Sequence, residues 1–317
     1  MKSRRKRLPS SPLRILIGGL LALLLVCGGF FVAPSTGLAK EAVTNQQCAN
    51  QPDGLGPCEW VTGNVNQAKA QYYEGDVVPY RIVMEDMTPG ATYWISFGWD
   101  TTKGGAHALD YIATYNYSES FADPCGDWGG GVGPVTCNTT STYPIPTDTL
   151  VSGAGVAQIP GVLTLYNATI DSVGSNSPDF DDGLYTHTGS WASDSSAIIT
   201  VKFTMDAGED AAVLTYGGHI ATELDWGEGM SAVSISGSPY HTFLNGASWG
   251  STGSQDLQLA ASAVIQPGSI TVTKDATPDS PQDFGFSLVG TDVNESFTLD
   301  DAVPDDGDAY SNSATYG

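Results

Sequence analysis

Apolar side chains recur at every second position along much of the chain. Val78, Tyr80, Ile82 and Met84 alternate with Arg81 and Val83 and end at the turn Thr88-Pro89-Gly90. Tyr93, Ile95, Phe97 and Trp99 repeat the pattern, with Ser96, Gly98 and Asp100 on the other face. Leu109, Tyr111, Ala113, Tyr115 and Tyr117 make a third run. Successive side chains of a strand point to opposite faces, so this spacing predicts antiparallel strands with one face on a core and one towards water. Strands resume at Leu163/Leu165, Ile199/Val201/Phe203/Met205, Val213–Tyr216 and Leu257/Leu259/Ala261/Ala263. Lys40 to Gly63 reads as a cysteine-closed entry loop, and the Gly/Pro/Ser/Thr-rich stretch Asp123 to Gly161 as excursion loops. No segment holds a sustained helical period with capping residues. Strands joined by turn-rich stretches, without intervening helices, predict an all-β fold, with an antiparallel β-sandwich head over residues 40–266. That length is large for one immunoglobulin-like sandwich, so a jelly-roll-like sandwich with long loops is expected.

A seam follows at Ala263–Val289. Pro267-Gly268 punctuates the chain, and Ile270, Val272 and Lys274 then share one face of a new strand, opposite Thr271 and Thr273. After the turns Thr277-Pro278-Asp279 and Ser280-Pro281, a second strand carries Phe284, Phe286 and Leu288, and a third carries Phe297 and Leu299. Gly268–Leu288 and Ser296–Asp301 together resemble the prealbumin-like repeat of bacterial surface proteins, a relative of the B-type stalk modules of pilins and collagen adhesins. GDVVPYRIVMEDMTPG, WDTTKGGAHALDYIATYN, GGHIATELDWG and SGSPYH resemble the head region that precedes such repeats in large secreted bacterial proteins. The resemblance implies an incomplete prealbumin-like, immunoglobulin-like sandwich module over residues 267–317, and no enzymatic activity. Because the closing strands of such a module are not evident, the chain reads as a fragment of a longer protein or a gene model that ends early.

The N-terminus changes the charge balance. Lys2, Arg4, Arg5, Lys6, Arg7 and Arg14 precede or enter an apolar run from Leu13 to Ala33, and Gly37-Leu38-Ala39 places small residues where a signal peptidase reads. Residues 1–39 therefore read as a signal peptide, with an uncleaved anchor as the alternative because the run approaches the ~20 residues that span a bilayer. Cys27 does not sit in a lipobox, since Val26 is too large. This leader holds six of the 12 basic residues and none of the 35 acidic ones, which leaves the remainder at −29. Such a surface repels nucleic acid and anionic membrane and favours cations. Membrane contact is expected only through the leader, if it is retained. The secreted part holds four cysteines, Cys48, Cys58, Cys125 and Cys137. An even count in an exported chain reads as disulfides; three connectivities are possible, and proximity favours Cys48–Cys58 with Cys125–Cys137. No C-x₂₋₄-C spacing supports a zinc site.

Several residues carry possible chemistry. In the stalk modules that the seam resembles, a lysine near the end of the first strand forms an isopeptide bond with Asn or Asp on the last; Lys274 matches it by position, and a strand-end lysine reaching water is the plainer use. Glu223-Leu224-Asp225-Trp226-Gly227-Glu228 resembles the E-x-D-x-x-E signature of jelly-roll glycoside hydrolases that cleave β-glucans and galactans. On a strand, Glu223 and Asp225 share a face and a bulge brings Glu228 round, giving nucleophile, orienting partner and acid/base. Asp179-Phe180-Asp181-Asp182-Gly183 and Asp305-Asp306-Gly307-Asp308 resemble fragments of calcium loops without the complete spacing, so calcium is the one cofactor to consider, as a loop stiffener. His107, His219 and His241 lie in Gly-rich segments near Asp110 and Asp225, where a transition-metal site or ordinary hydrogen-bonded histidines are the two readings. Trp94, Trp128, Trp191, Trp226 and Trp249 sit in or beside Gly/Ser-rich loops or on a polar strand face, as aromatic platforms for sugars or proteins do. No nucleophile elbow or phosphate-binding loop occurs.

The expected function is that of a non-enzymatic, exported bacterial surface protein, structural or adhesive. Its head would bind an extracellular carbohydrate or protein through Gly-rich loops. A secreted glycoside hydrolase and a carbohydrate-binding module are the alternatives.

Overall fold

A computed structural model describes residues 40–126, 135–175, 182–236, 240–266, 268, 270–275, 277–278, 282–289, 294–300 and 313–316. In chain order the strands are β1 (Ala42–Ala49), β2 (Glu59–Val61), β3 (Tyr72–Tyr73), β4 (Val77–Glu85), β5 (Thr92–Lys103), β6 (Ala106–His107), β7 (Leu109–Ala113) and β8 (Thr140–Pro144). After helix α1 (Thr149–Gly153) come β9 (Val162–Tyr166), β10 (Ala168–Gly174), β11 (Thr186–Gly189), β12 (Ser195–Met205) and β13 (Ala212–Ile220). Helix α2 (Glu223–Trp226) precedes β14 (Tyr240–Ala247), β15 (Asp256–Leu259) and β16 (Val264–Ile265). The remaining strands are β17 (Ile270–Thr273), β18 (Phe284–Val289), β19 (Asn294–Leu299) and β20 (Ser313–Tyr316). Among the described residues no helix is long and apolar enough to cross a membrane.

Two antiparallel sheets form a β-sandwich. The first runs β2-β1-β4-β13-β9-β8, with β7 continuing the edge of β13 beyond β9. The second runs β10-β12-β5-β14-β15, with β11 beside β12 and β6 folded back on β5. The alternating residues of the opening runs meet between them: Tyr80 stacks on Tyr216 at 5.1 Å, and Tyr216 on Phe97 of the facing sheet at 4.2 Å. Ile82, Met84, Ile95, Trp99, Ile199, Val201, Phe203 and Leu214 complete this interior. Gly217 is required where β7 joins: a Cβ there would lie 2.1 Å from a Val77 methyl and 3.0 Å from the Thr114 carbonyl oxygen.

Alternation misjudges several elements. It predicts β4 and β13 half-buried, yet nearly every residue of both is buried, Arg81 included. The run through Tyr117 ends at Ala113, because the chain turns at 114–117. The entry loop contains β1 and β2, which Cys48–Cys58 ties together, and the excursion region contains β8 and α1. Beyond β15 the chain enters a short 3₁₀ turn at Ala261–Ala263. Strand β1 escapes detection because its core-side positions include Asn45 and Gln47, which are fully buried. Their amides reach β15 and its approach: Asn45 Nδ2 donates to the Gln255 carbonyl and Gln47 Nε2 to that of Gln258, while Gln47 Nε2 also donates to the Gly63 carbonyl just beyond β2. Side-chain amides thus close one flank of the sandwich, and Val65 N–H bonds to Gln258 O along β15, covering that edge.

The outer face of the first sheet is covered by loops. Both expected disulfides are present, Cys48–Cys58 and Cys125–Cys137, the kind of bridge that persists in oxidising compartments. Arg81 lies beneath the second, where a charge out of water needs its N–H groups satisfied. Its Nε donates to Gln46 Oε1 at 2.7 Å, and Nη1 to the carbonyls of Pro124 and Gly126 at 2.8 Å each. Its guanidinium lies 4.9 Å from the centre of the Trp60 ring. Val83 and Val213 pack under Val135, just before Cys137.

The C-terminal strands form two antiparallel ribbons, β17 with β20 and β18 with β19. Phe286 stacks on Phe297 at 5.6 Å and Leu299 is buried, whereas Ile270, Phe284 and Val289 remain exposed.

The same covering layer contains an acid out of its ordinary range. Glu119 is buried and accepts from Asn50 Nδ2 at 2.6 Å. Burial pushes its carboxyl from 4.5 up to about 7; the Asn50 bond opposes this and the Asp76 carboxylate reinforces it. Between those values the folded chain keeps a proton that the unfolded chain has released, so stability falls as pH rises from 4.5 to 7. A loss of about 1–3 kcal/mol is expected across that window in urea titrations. Glu119→Gln should flatten the slope, and an unchanged slope in that variant would assign it to other groups.

Candidate functional site

One end of the sandwich gathers most of the candidate residues. The turn Gly104-Gly105 folds β6 back on β5 and delivers His107; three residues on, Asp110 lies in β7. The far end of β13 pairs with β7 and brings His219 beside Asp110. The chain leaves β13 through Ala221, and Thr222 caps α2 by accepting from Asp225 N–H, which places Trp226 at the helix end. Gly227, at φ 95°, then turns the chain away, a conformation that disfavours a side chain.

Asp110 is the hub. Its carboxylate is fully buried; one oxygen accepts from His219 Nδ1 at 2.7 Å and the Tyr111 N–H at 3.0 Å, and the other from Trp226 Nε1 at 2.9 Å. An ionised carboxylate only accepts, so this contact fixes the proton of His219 on Nδ1. The Tyr111 ring stacks on His219 at 4.2 Å. The held indole of Trp226 lies flat on His107, with centroids 3.4 Å apart and planes 12° from parallel. Trp191 meets both rings edge-to-face, at 5.1 Å from His107 and 5.2 Å from Trp226. Burial pushes the His107 pKa down to about 4, against the pull of Asp110, so at neutral pH the ring serves as a flat uncharged surface. Its Nδ1 is buried without a hydrogen-bond partner.

A second carboxylate holds the loop after β13. Glu74 is buried, and its two oxygens accept from the backbone N–H groups of Glu223 at 3.2 Å and Val233 at 3.1 Å. Nothing in linear spacing marks Glu74 as a partner of residues some 150 positions away; its only sequence signal is an acid between Tyr73 and Gly75. Beside this wall opens a groove of about 520 Å³, lined by Gly104, Gly105, Trp191, Met230 and Ile235 among others. Lys103 and Asp194 form an ion pair at 2.9 Å on its rim.

The hydrolase-like signature does not form a strand. Glu223–Trp226 is a helical turn, so adjacent acids diverge around an axis instead of sharing a face. The carboxylates also have other tasks. Glu223 accepts from Gly229 N–H and Gln266 Nε2, and Asp225 accepts from the Thr222 hydroxyl, while Glu228 is exposed beyond the helix. Local chemistry explains the change: Thr222 supplies the cap, and Gly227 and Gly229 supply the exit.

The three histidines do not converge. His107 and His219 belong to the Asp110 cluster, while His241 lies on β14 with Nδ1 2.9 Å from both oxygens of Asp256 on β15. Among the described residues no three His, Cys, Asp or Glu side chains gather to hold a metal ion. Asp182 closes its own loop, accepting from Ser175 N–H, Ser175 Oγ and Leu184 N–H. Asp179, Asp181, Trp128 and the acidic turn at 305–308 lie outside the described residues. Lys274 Nζ sits 4.9 Å from the centre of the Phe284 ring. Trp249 packs edge-on against Tyr93 at 5.6 Å, as core material. No protein-family model, curated protein or solved structure matches the chain.

Removing the hub tests this geometry. Asp110→Ala leaves the Nδ1–H of His219 and the Nε1–H of Trp226 buried and unpaired, at a cost of about 2–4 kcal/mol. Urea denaturation should show that loss together with a red-shifted tryptophan emission. A variant as stable as the parent would mean that Trp226 is held by stacking alone.

Proposed function

We propose that this chain is the head, and the opening strands of the stalk, of a non-enzymatic bacterial surface protein. It is exported by its leader and binds an extracellular ligand at the groove beside Trp191. The observation that carries this reading is the His107–Trp191–Trp226 cluster, fastened from behind by Asp110. A tryptophan tied to a buried carboxylate, with two rings packed against it, presents a surface whose ordering cost was met during folding, which favours recognition. The acids at the same end bind backbone and side-chain donors, so the site contains a platform without a poised pair of carboxylates. Export agrees with the two disulfides, and a stalk role agrees with the paired ribbons that follow residue 268. On this reading the head is jelly-roll-like and the second module prealbumin-like.

The test is direct. The chain lacking residues 1–39 is screened against a glycan array and a panel of extracellular proteins, and hits are repeated with Trp191→Ala. Loss of affinity by about tenfold or more, with the melting temperature held, is expected for a ligand seated at the groove. Release of reducing sugar from laminarin, lichenan or agarose, abolished by Glu223→Gln, would replace this reading with the hydrolase.

A further inference from the structure

The groove end has two properties that bear on what it binds. First, it displays apolar side chains to water. Leu224 is 94% exposed on α2, and Met230, in the loop that follows and lines the groove, is 42% exposed. Leu150 is 42% exposed on α1, whose neighbouring Val151 packs in the same cluster as Trp191 and Trp226. Leucines on two separate short helices, grouped around one half-buried tryptophan pair, mark a surface that another apolar surface covers. Hydroxyl-rich sugar rings use the tryptophan and leave the leucines wet.

Second, the charges around these residues are mostly acidic. Asp225 and Glu228 are exposed beside Leu224 and Met230, and the side chain of Asp194 is 62% exposed at the rim. The cation among the lining residues, Lys103, is already paired with Asp194. An anionic lipid surface would meet repulsion from this rim, whereas lysine or arginine would meet attraction and, at Trp191, a ring face.

We infer that the occupant of the groove is a basic segment of a partner protein carrying an apolar or aromatic side chain between its cations. The inference rests on the groove being the binding site proposed above, and it narrows that ligand from carbohydrate or protein to a cationic peptide. The apolar residue enters between Trp191 and Met230, and the flanking cations face Asp225 and Glu228. Charge complementarity then sets the encounter rate and the choice of partner, and burial of the apolar residue sets the lifetime of the complex.

The experiment uses the chain lacking residues 1–39 and three probes: a short peptide with a central leucine–tryptophan pair flanked by lysine and arginine, the same peptide with glutamine for every cation, and vesicles rich in phosphatidylserine. Fluorescence anisotropy at low salt should show the cationic peptide binding at least about tenfold more tightly than its glutamine counterpart, with the gap closing near 1 M salt, where screening reaches ~3 Å. Trp191→Ala, Met230→Asp and Glu228→Lys should each weaken the cationic peptide by about tenfold. Met230 and Glu228 are exposed, so those two variants keep the result interpretable if Trp191→Ala unfolds. Equal affinity for the two peptides, or binding that prefers vesicles, overturns the inference. A glycan hit that depends on Trp191 without any peptide binding also overturns it, and leaves the surface-binding reading standing. If peptide, glycan array, protein panel and vesicles all fail to show binding that depends on Trp191, the surface-binding reading falls too.

Discussion

A strand buried on both faces has to be covered twice. β4 and β13, side by side in the first sheet, impose that requirement here. Their inner face is covered by the other sheet through aromatic stacking. Their outer face carries Arg81, Val83 and Val213, and among the described residues no third sheet meets them. The cover is made of loops, and loops have little apolar surface with which to hold themselves down. The disulfides restrain those loops by covalent means. Arg81 adds a polar attachment, since its guanidinium collects the Pro124 and Gly126 carbonyls that a folded-over loop would otherwise bury unpaired. The same burial places Glu119 where a carboxylate is poorly solvated.

That constraint also positions the groove end. Because β13 is enclosed throughout, its last residues emerge into an interior already shielded from water, so His219 meets Asp110 in a dry setting. Gly217 lets β7 approach closely enough to make the pairing. A buried carboxylate there is tolerable only with several donors, and three different segments supply them: the backbone of β7, His219 at the end of β13, and Trp226 at the end of α2. Glu74 does the same for the following loop. Charged groups that look isolated in the sequence therefore act as staples between segments distant along the chain.

The sandwich could be read from alternation because Tyr80, Ile82, Tyr93, Ile95, Phe97, Val201 and Phe203 face one shared interior. What escaped follows from specific chemistry. Asn45 and Gln47 occupy inward positions of β1, so the pattern there is polar although the strand is buried. Arg81 looked like a solvent-facing residue because alternation reports sides and not covers. At the groove end, His107, His219 and Trp226 stood out as residue types in Gly-rich loops, yet the sequence could not show that Asp110 joins two of them while His241 lies across the other sheet. The acidic signature at Glu223 pointed to hydrolysis only under the assumption of a strand; a capping threonine and two glycines were the residues that argued against it.

Catalysis by carboxylates requires groups that can exchange protons with a substrate. At this end, Asp110 and Glu74 are buried and fully engaged, Glu223 and Asp225 bind donors within their own loop, and Glu228 stands in water. His107 is kept neutral by its surroundings, which suits a ring used for stacking. What the arrangement does supply is a packed trio of rings: Trp226, tied by one hydrogen bond to the buried Asp110 carboxylate, lies flat on His107, and Trp191 meets both edge-to-face. Around that centre the exposed residues are leucine, methionine and acids. Packed rings, exposed apolar side chains and a mostly acidic rim thus share this end of the sandwich.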